Sequence, residues 1–217
     1  MADTAGGVPV RTGAAPVVGA RSSICGISPF LHMAYCPDMN FTGRVWGATA
    51  AEQEAHYPCD GLLTVPHEGW IRAVDVAAPC ATVFRWVHQL AVAPYSYDWI
   101  DFRGRRSPDR LTPGLAPLEV GQRFLVFDLV DFATDEHVTG VLPTEPARRH
   151  GQMAVSYVVV PHGDGCRLLV KVASETRRSP VRRLQRRLLA WGDLVMMRKQ
   201  LLTLKKFAER DAAAERH

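Results

Sequence analysis

Tyr95-Ser96-Tyr97-Asp98-Trp99 brings aromatic surface, hydroxyl groups and a carboxylate together in one short stretch. A small-molecule site needs apolar area for affinity and a few polar groups for orientation, and this stretch offers both. On that reading Tyr97 and Asp98 face a cavity or its mouth; on the competing one the aromatics pack a core and Asp98 caps a short helix. Asp128 lies inside the apolar run Phe124 to Val130. An unpaired carboxylate buried there would be driven toward neutrality, the profile of a general acid or base, whereas a bend or bulge would leave it exposed. His88, beside Trp86 and Gln89, is either a third proton-transfer group or an ordinary surface histidine.

Other groupings promise less. His56, Cys59, Asp60, His67 and Glu68 fall within thirteen residues, but their spacing matches no metal-ligand pattern, so a polar loop and no metal are expected. Arg177, Arg178, Arg182, Arg183, Arg186 and Arg187 gather with no acid between Thr176 and Trp191. They suit either anionic headgroups at a membrane surface or a solvated face, and the solvated face is the expectation because basic charge opposes the dipole at a helix start. Glycine-rich phosphate loops, nucleophile elbows, H-E-x-x-H and basic-aromatic RNA motifs do not occur, so no cofactor and no nucleic-acid partner are expected.

The elements that must position these residues follow from local pattern. Thr49 and Glu52 form a capping box for a helix of about two turns ending before Pro58. His67 to Val76 alternates as a strand, with Trp70, Arg72, Val74 and Val76 on one face. Pro79 opens a helix through Val83, Phe84, Val87 and Leu90, and a shorter one covers Tyr97 to Phe102. Strands are predicted at Gln122 to Val130, Gly151 to Val160 and Cys166 to Glu175, with a weaker one at His137 to Leu142. The turn Gly163-Asp164 makes a hairpin of the last long pair. The final strand is expected to have one buried and one wet face. Ser179-Pro180 starts a helix running to about Arg210, with a broad apolar stripe that includes Leu184, Leu188, Trp191, Leu194, Val195, Met197, Leu201, Leu202 and Leu204.

Its 217 residues suit one domain plus an arm. The net charge of +4 is unevenly placed: from Arg167 onward 14 basic residues face 5 acidic ones, and before it 12 face 17. Lacking an apolar run of about 18 residues and a signal-like start, the chain is expected to be cytoplasmic. Its five cysteines have no C-x-x-C spacing, so reduced thiols are expected.

Trp46-Gly47-Ala48-Thr49, Ala78-Pro79 through Leu90, Tyr95 to Trp99, Ser107-Pro108-Asp109-Arg110-Leu111, Leu118 to Gly121, and Arg198 to Leu201 through Ala208-Glu209 resemble the START-related or SRPBCC superfamily, most closely its actinobacterial polyketide cyclase/dehydrase-like group. The resemblance covers about residues 44 to 210. Two departures stand out: Phe124 to Val130 is apolar where a polar, glycine-rich loop would be expected, and Met197 replaces an acidic residue.

The resemblance implies an α+β helix-grip fold, a curved antiparallel sheet around the C-terminal helix, enclosing a cavity for a hydrophobic or aromatic molecule. It implies an arm at 1–43, a domain at 44–212 and a disordered tail at 213–217. Trp86, Tyr95, Trp99, Phe127, Tyr157, Trp191 and Val195 are the expected ligand-binding residues. A cofactor-independent cyclase or dehydratase would move protons through Asp98 or Asp128, with His88 as a further candidate and Tyr97 donating to a carbonyl. The alternative is a carrier, lipid-transfer or sequestering protein without chemistry. A monomer or homodimer is compatible with either.

Overall fold

The computed structural model describes residues 43–97, 104–176 and 180–216, the side chains of 180–183 and 186 excepted. Most of the expected helix at Tyr97 to Phe102, and residues Asp98 and Trp99, lie outside the described residues, as does the arm before Gly43.

In chain order the elements are β1 (Val45–Trp46), α1 (Ala50–Glu54), β2 (His67–Val76), α2 (Cys80–His88), β3 (Arg123–Phe124), β4 (Phe127–Ala133), β5 (His137–Val141), α3 (Thr144–His150), β6 (Met153–His162), β7 (Gly165–Glu175) and α4 (Pro180–Glu215). Single 3-10 turns at Pro58–Gly61 and Gln89–Ala91 follow α1 and α2. The strands form one sheet in the order β1-β2-β7-β6-β5-β4-β3, antiparallel except for the short parallel pair β1–β2. With the long α4 packed against it, this is an α+β helix-grip fold.

Local signals explain the elements they predicted. Thr49 Oγ1 accepts from the Glu52 N–H at 3.2 Å and Glu52 Oε2 accepts from the Thr49 N–H at 2.7 Å, so the capping box closes. β2 spans His67–Val76, as its alternation predicts. β6 and β7 join through Gly163-Asp164, with His162 opposite Gly165 and Gly163 at φ 57°.

Elsewhere the structure corrects the sequence expectation. The run Gln122 to Val130 is not one strand: it folds back at Leu125-Val126, pairing Phe124 with Phe127, and Leu125 takes φ 56°. α4 reaches Glu215, which meets Arg85 at 2.7 Å, so residues 213–215 belong to the helix instead of a disordered tail. Thirty-six residues give it a length of about 54 Å. β7 has no wet face along most of its length. Leu168, Val170 and Val172 join the core under α4, while Leu169 and Ala173 join a second core on the opposite face with Tyr57, Cys59, Leu63, Ile71 and Ala154. The segment from α1 through the 3-10 turn covers that face.

The stripe on α4 is narrower than its sequence suggests. Ala190, Leu194, Met197, Leu201, Leu204, Ala208 and Ala212 are buried, recurring at three- and four-residue spacing. Leu184, Leu188, Trp191, Val195 and Leu202 are exposed. Trp191 at 38% and Val195 at 50% exposure therefore turn away from the sheet.

Candidate functional site

Arg72, Val170 and Tyr157 stand in one row across β2, β7 and β6, because Arg72 pairs with Val170 and Val170 with Tyr157. Across from this row α4 presents Asp193, Met197 and Gln200, spaced so that they share one helix face. Arg72 Nη2 lies 3.0 Å from Asp193 Oδ2, and its guanidinium also donates to the carbonyls of Gly43, Arg44 and Ile71. Tyr157 donates its hydroxyl proton to Gln200 Oε1 at 2.7 Å, and Gln200 Nε2 donates to the Pro94 carbonyl at 2.6 Å. Burial pushes the Tyr157 phenol up and the Asp193 carboxyl up to about 6, the latter against the pull of Arg72. Where the sequence expectation puts an enclosed ligand cavity, this level of the grip is filled by these side chains.

A cleft of about 490 Å³ opens beside the grip instead, lined by Tyr95, Ser96, Arg106, Ser107, Pro108, Asp109, Lys199, Thr203 and Phe207. Its helical wall follows from spacing: Lys199, Thr203 and Phe207 recur every four residues along α4. The opposite wall is loop, held by specific bonds. Gln89, fully buried, donates to Thr112 Oγ1 at 2.6 Å and accepts from the Thr112 N–H at 3.2 Å. Arg210 donates to the Asp109 carbonyl at 2.6 Å, and the Tyr95 N–H donates to Ser107 Oγ at 3.3 Å. His88 shares a 3.0 Å hydrogen bond with the Ala116 carbonyl.

Tyr95 is a buried aromatic at φ 54°, a conformation that costs an L-residue on the order of 1 kcal/mol and persists only where the surroundings impose it. Here the surroundings are Trp86 and Phe207, both edge-on to the Tyr95 ring at centroid distances of 5.7 and 6.1 Å. Trp86 is itself fully buried, tilted against Phe207 at 4.9 Å, and donates its indole N–H to Asp211 Oδ2 at 2.9 Å.

The sequence-predicted residues thus scatter. Tyr95 lines the cleft and Trp86 supports its floor. Tyr97 is half-buried next to it in the chain. Burial lowers the His88 imidazole, whose bond to Ala116 holds the loop. Phe127 is buried under the sheet's concave face and Tyr157 in the polar row. Asp128, on the face opposite Phe127 and Leu129, is 39% exposed and 3.4 Å from Arg123, so β4 supplies no buried proton donor there. Asp60 meets Lys171 at 2.8 Å, Glu68 meets Arg44 at 2.7 Å and His67 contacts the Val65 carbonyl at 3.0 Å, each with its own partner. Of the arginine cluster, Arg187 is exposed and the other side chains are outside the described residues.

Sequence reasoning missed Arg106, Lys199, Thr203 and Phe207 in the cleft and Arg72, Asp193 and Gln200 in the interior. Two signals were present. Arg72 alternates with Trp70 and Val74 and so had to be a charge on the core face. Asp193 is the first acid of α4, in a helix half otherwise basic.

A helix-grip protein with an open, mixed polar and aromatic cleft is the class that this geometry defines. No family model matches the chain, and no curated protein matches it. Among solved structures it is similar to protein MLL2253 from Mesorhizobium loti, at 14% identity and TM-score 0.44 over 66% of this chain and 98% of that one. It is also similar to the di-domain ARO/CYC StfQ from the steffimycin biosynthetic pathway, at 14% identity and TM-score 0.40 over 67% and 51%. CalU16 from Micromonospora echinospora matches at 15% identity and TM-score 0.36 over 70% and 92%. These are similarities of fold. Among the described residues, no helix is long and apolar enough to cross a membrane.

Proposed function

We propose that the protein binds a small aromatic or apolar molecule bearing a carbonyl or anionic oxygen, in the cleft between α4 and the loop at 104–112. The observation that carries this reading is convergence: Tyr95-Ser96, Ser107-Pro108-Asp109 and Lys199, far apart in sequence, line one cleft of about 490 Å³. That volume falls within the range of ordinary small-molecule sites. Phe207, backed by the buried Tyr95 ring, offers apolar surface; Ser96, Ser107 and Thr203 offer hydroxyls; Arg106 and Lys199 offer positive charge to an acceptor oxygen. Cyclisation or dehydration is the chemistry such a cleft would host, with proton transfer assigned to Asp98 and a hydrogen bond to a carbonyl to Tyr97, the two residues that follow Ser96 in the chain. Without that transfer the same site serves a carrier.

Native mass spectrometry of protein purified from its own host tests the reading. A retained small molecule is expected, and it should be lost from Lys199→Ala and Thr203→Val, whose side chains lie at the cleft and not in the core. Retention at the wild-type level in both variants would place the ligand elsewhere. Asp98→Asn then separates the two roles, since a carrier keeps its ligand unchanged and an enzyme accumulates unconverted substrate.

A further inference from the structure

Cys80 and Cys166 are brought together by the sheet and the turn above it. Cys166 pairs with Val76 at the end of β2, and the chain returns over that pair within four residues, placing Cys80 at the first position of α2. The two Sγ atoms are 2.9 Å apart, both as free thiols, Cys166 buried and Cys80 half-buried. A disulfide holds its sulfurs about 2.05 Å apart, so bond formation requires a closure of roughly 1 Å.

We propose that this pair is a modification site, oxidised by a peroxide to a disulfide that fastens the first turn of α2 to β7. Cys80 is the more accessible thiol and attacks the peroxide oxygen, giving a sulfenic acid and, for hydrogen peroxide, one water. The Cys166 sulfur then displaces the sulfenic oxygen, which leaves as a second water with the Cys166 proton. Two thiols are oxidised by two electrons and one peroxide is reduced. Burial, with Cys80 alongside, pushes the Cys166 thiol up, which disfavours it as the first attacker; its place 2.9 Å from Cys80 Sγ is what fits it for the second step. The disulfide would restrain the helix that carries Trp86, and through it the floor under Tyr95 and Phe207.

The test uses the full chain, fully reduced and then treated with a few equivalents of hydrogen peroxide. After denaturation and alkylation of remaining thiols, peptide mapping should show a Cys80–Cys166 cross-link that dithiothreitol reverses, with a loss of 2 Da in the intact mass before alkylation. The cross-linked form should melt higher by roughly 5–15 °C. Cys80→Ser and Cys166→Ser should abolish the cross-link, and Cys59→Ser should not. If the wild type yields both thiols alkylated, a sulfinic acid at Cys80, or a cross-link to Cys25 or Cys36, the proposal is wrong, and this mapping decides even where a serine variant fails to fold.

Discussion

Arg72 and Asp193 form an ion pair 3.0 Å long between β2 and α4, with the Arg72 side chain fully enclosed and that of Asp193 21% exposed. Three backbone carbonyls accept from Arg72 Nη1 and Nη2, while its Nε is buried without a partner among the described residues, so the charge sits in the core desolvated and bonded at one end of the guanidinium. A buried charge of this kind adds little net stability as a pair but is costly to orphan.

Asp193→Leu, which leaves the buried Arg72 guanidinium with no acceptor on α4, is therefore expected to destabilise the protein by about 3 kcal/mol in guanidinium chloride unfolding. The double variant Arg72→Met with Asp193→Leu removes both charges and should recover most of that loss. If the double variant is no more stable than Asp193→Leu, the cost lies in packing and not in the unpaired charge.

The same carboxyl makes stability depend on pH. Asp193 binds its proton with a pKa of about 6 when folded, against about 3.9 for an unfolded aspartate. Its folded pKa is raised, so between pH 4 and 6 the folded state holds more protons than the unfolded one, and stability falls as pH rises through that interval. Relative to Asp193→Asn, the wild type should lose on the order of 2 kcal/mol from pH 4 to pH 6. Parallel pH profiles would mean that the carboxyl titrates normally.

Trp86 separates hydrogen bonding from packing. Trp86→Phe removes the donor to Asp211 while keeping a ring against Phe207, and should cost about 1 kcal/mol. Trp86→Ala empties the junction of α2 and α4 and should cost about 4 kcal/mol. Thermal unfolding of the two variants side by side checks the order; equal losses would show that the indole N–H carries the contact.

Gly47 tests the β1 corner. It sits at φ +71°, and a Cβ there would be driven onto the Ala73 carbonyl oxygen. Its own carbonyl accepts from Arg167 Nη2 at 2.6 Å, and Arg167 in turn holds Glu52 of α1 at 2.8 Å. Gly47→Ala should therefore cost about 3 kcal/mol and loosen α1, seen as faster amide hydrogen exchange at residues 50–54. Unchanged exchange there would uncouple the corner from the helix.

What was legible in the sequence was what neighbours in the chain decide. The Thr49 and Glu52 box, the alternation of β2, the Pro79 and Pro180 starts and the Gly163-Asp164 turn each depend on residues a few positions apart. The fold at Leu125-Val126 was not legible, since an apolar pair carries no turn signal and the reversal is held by Phe124 opposite Phe127 and by Arg123 donating to the Val126 carbonyl. α3 was hidden by proline at two of its first positions, Pro143 at the cap and Glu145-Pro146 inside it. The cleft was half legible: Tyr95-Ser96 and Ser107 to Asp109 stood out as blocks, but nothing in either block says that they meet.

By itself the sequence determined the order of the long strands and of the helices at Pro79 and Pro180, the amphipathic character of α4 and the candidate stretch at Tyr95. Tertiary structure decided which side of α4 is core. Leu194, Met197, Leu201 and Leu204 went under the sheet, while Leu188, Trp191 and Val195, equally apolar, stayed outside. A helix with apolar residues on more than one face has no preferred rotation until a partner surface exists. Here the sheet supplies it through Arg72 and Tyr157, whose polar groups need Asp193 and Gln200 opposite them, and that turn of the helix also sets Lys199, Thr203 and Phe207 along the cleft.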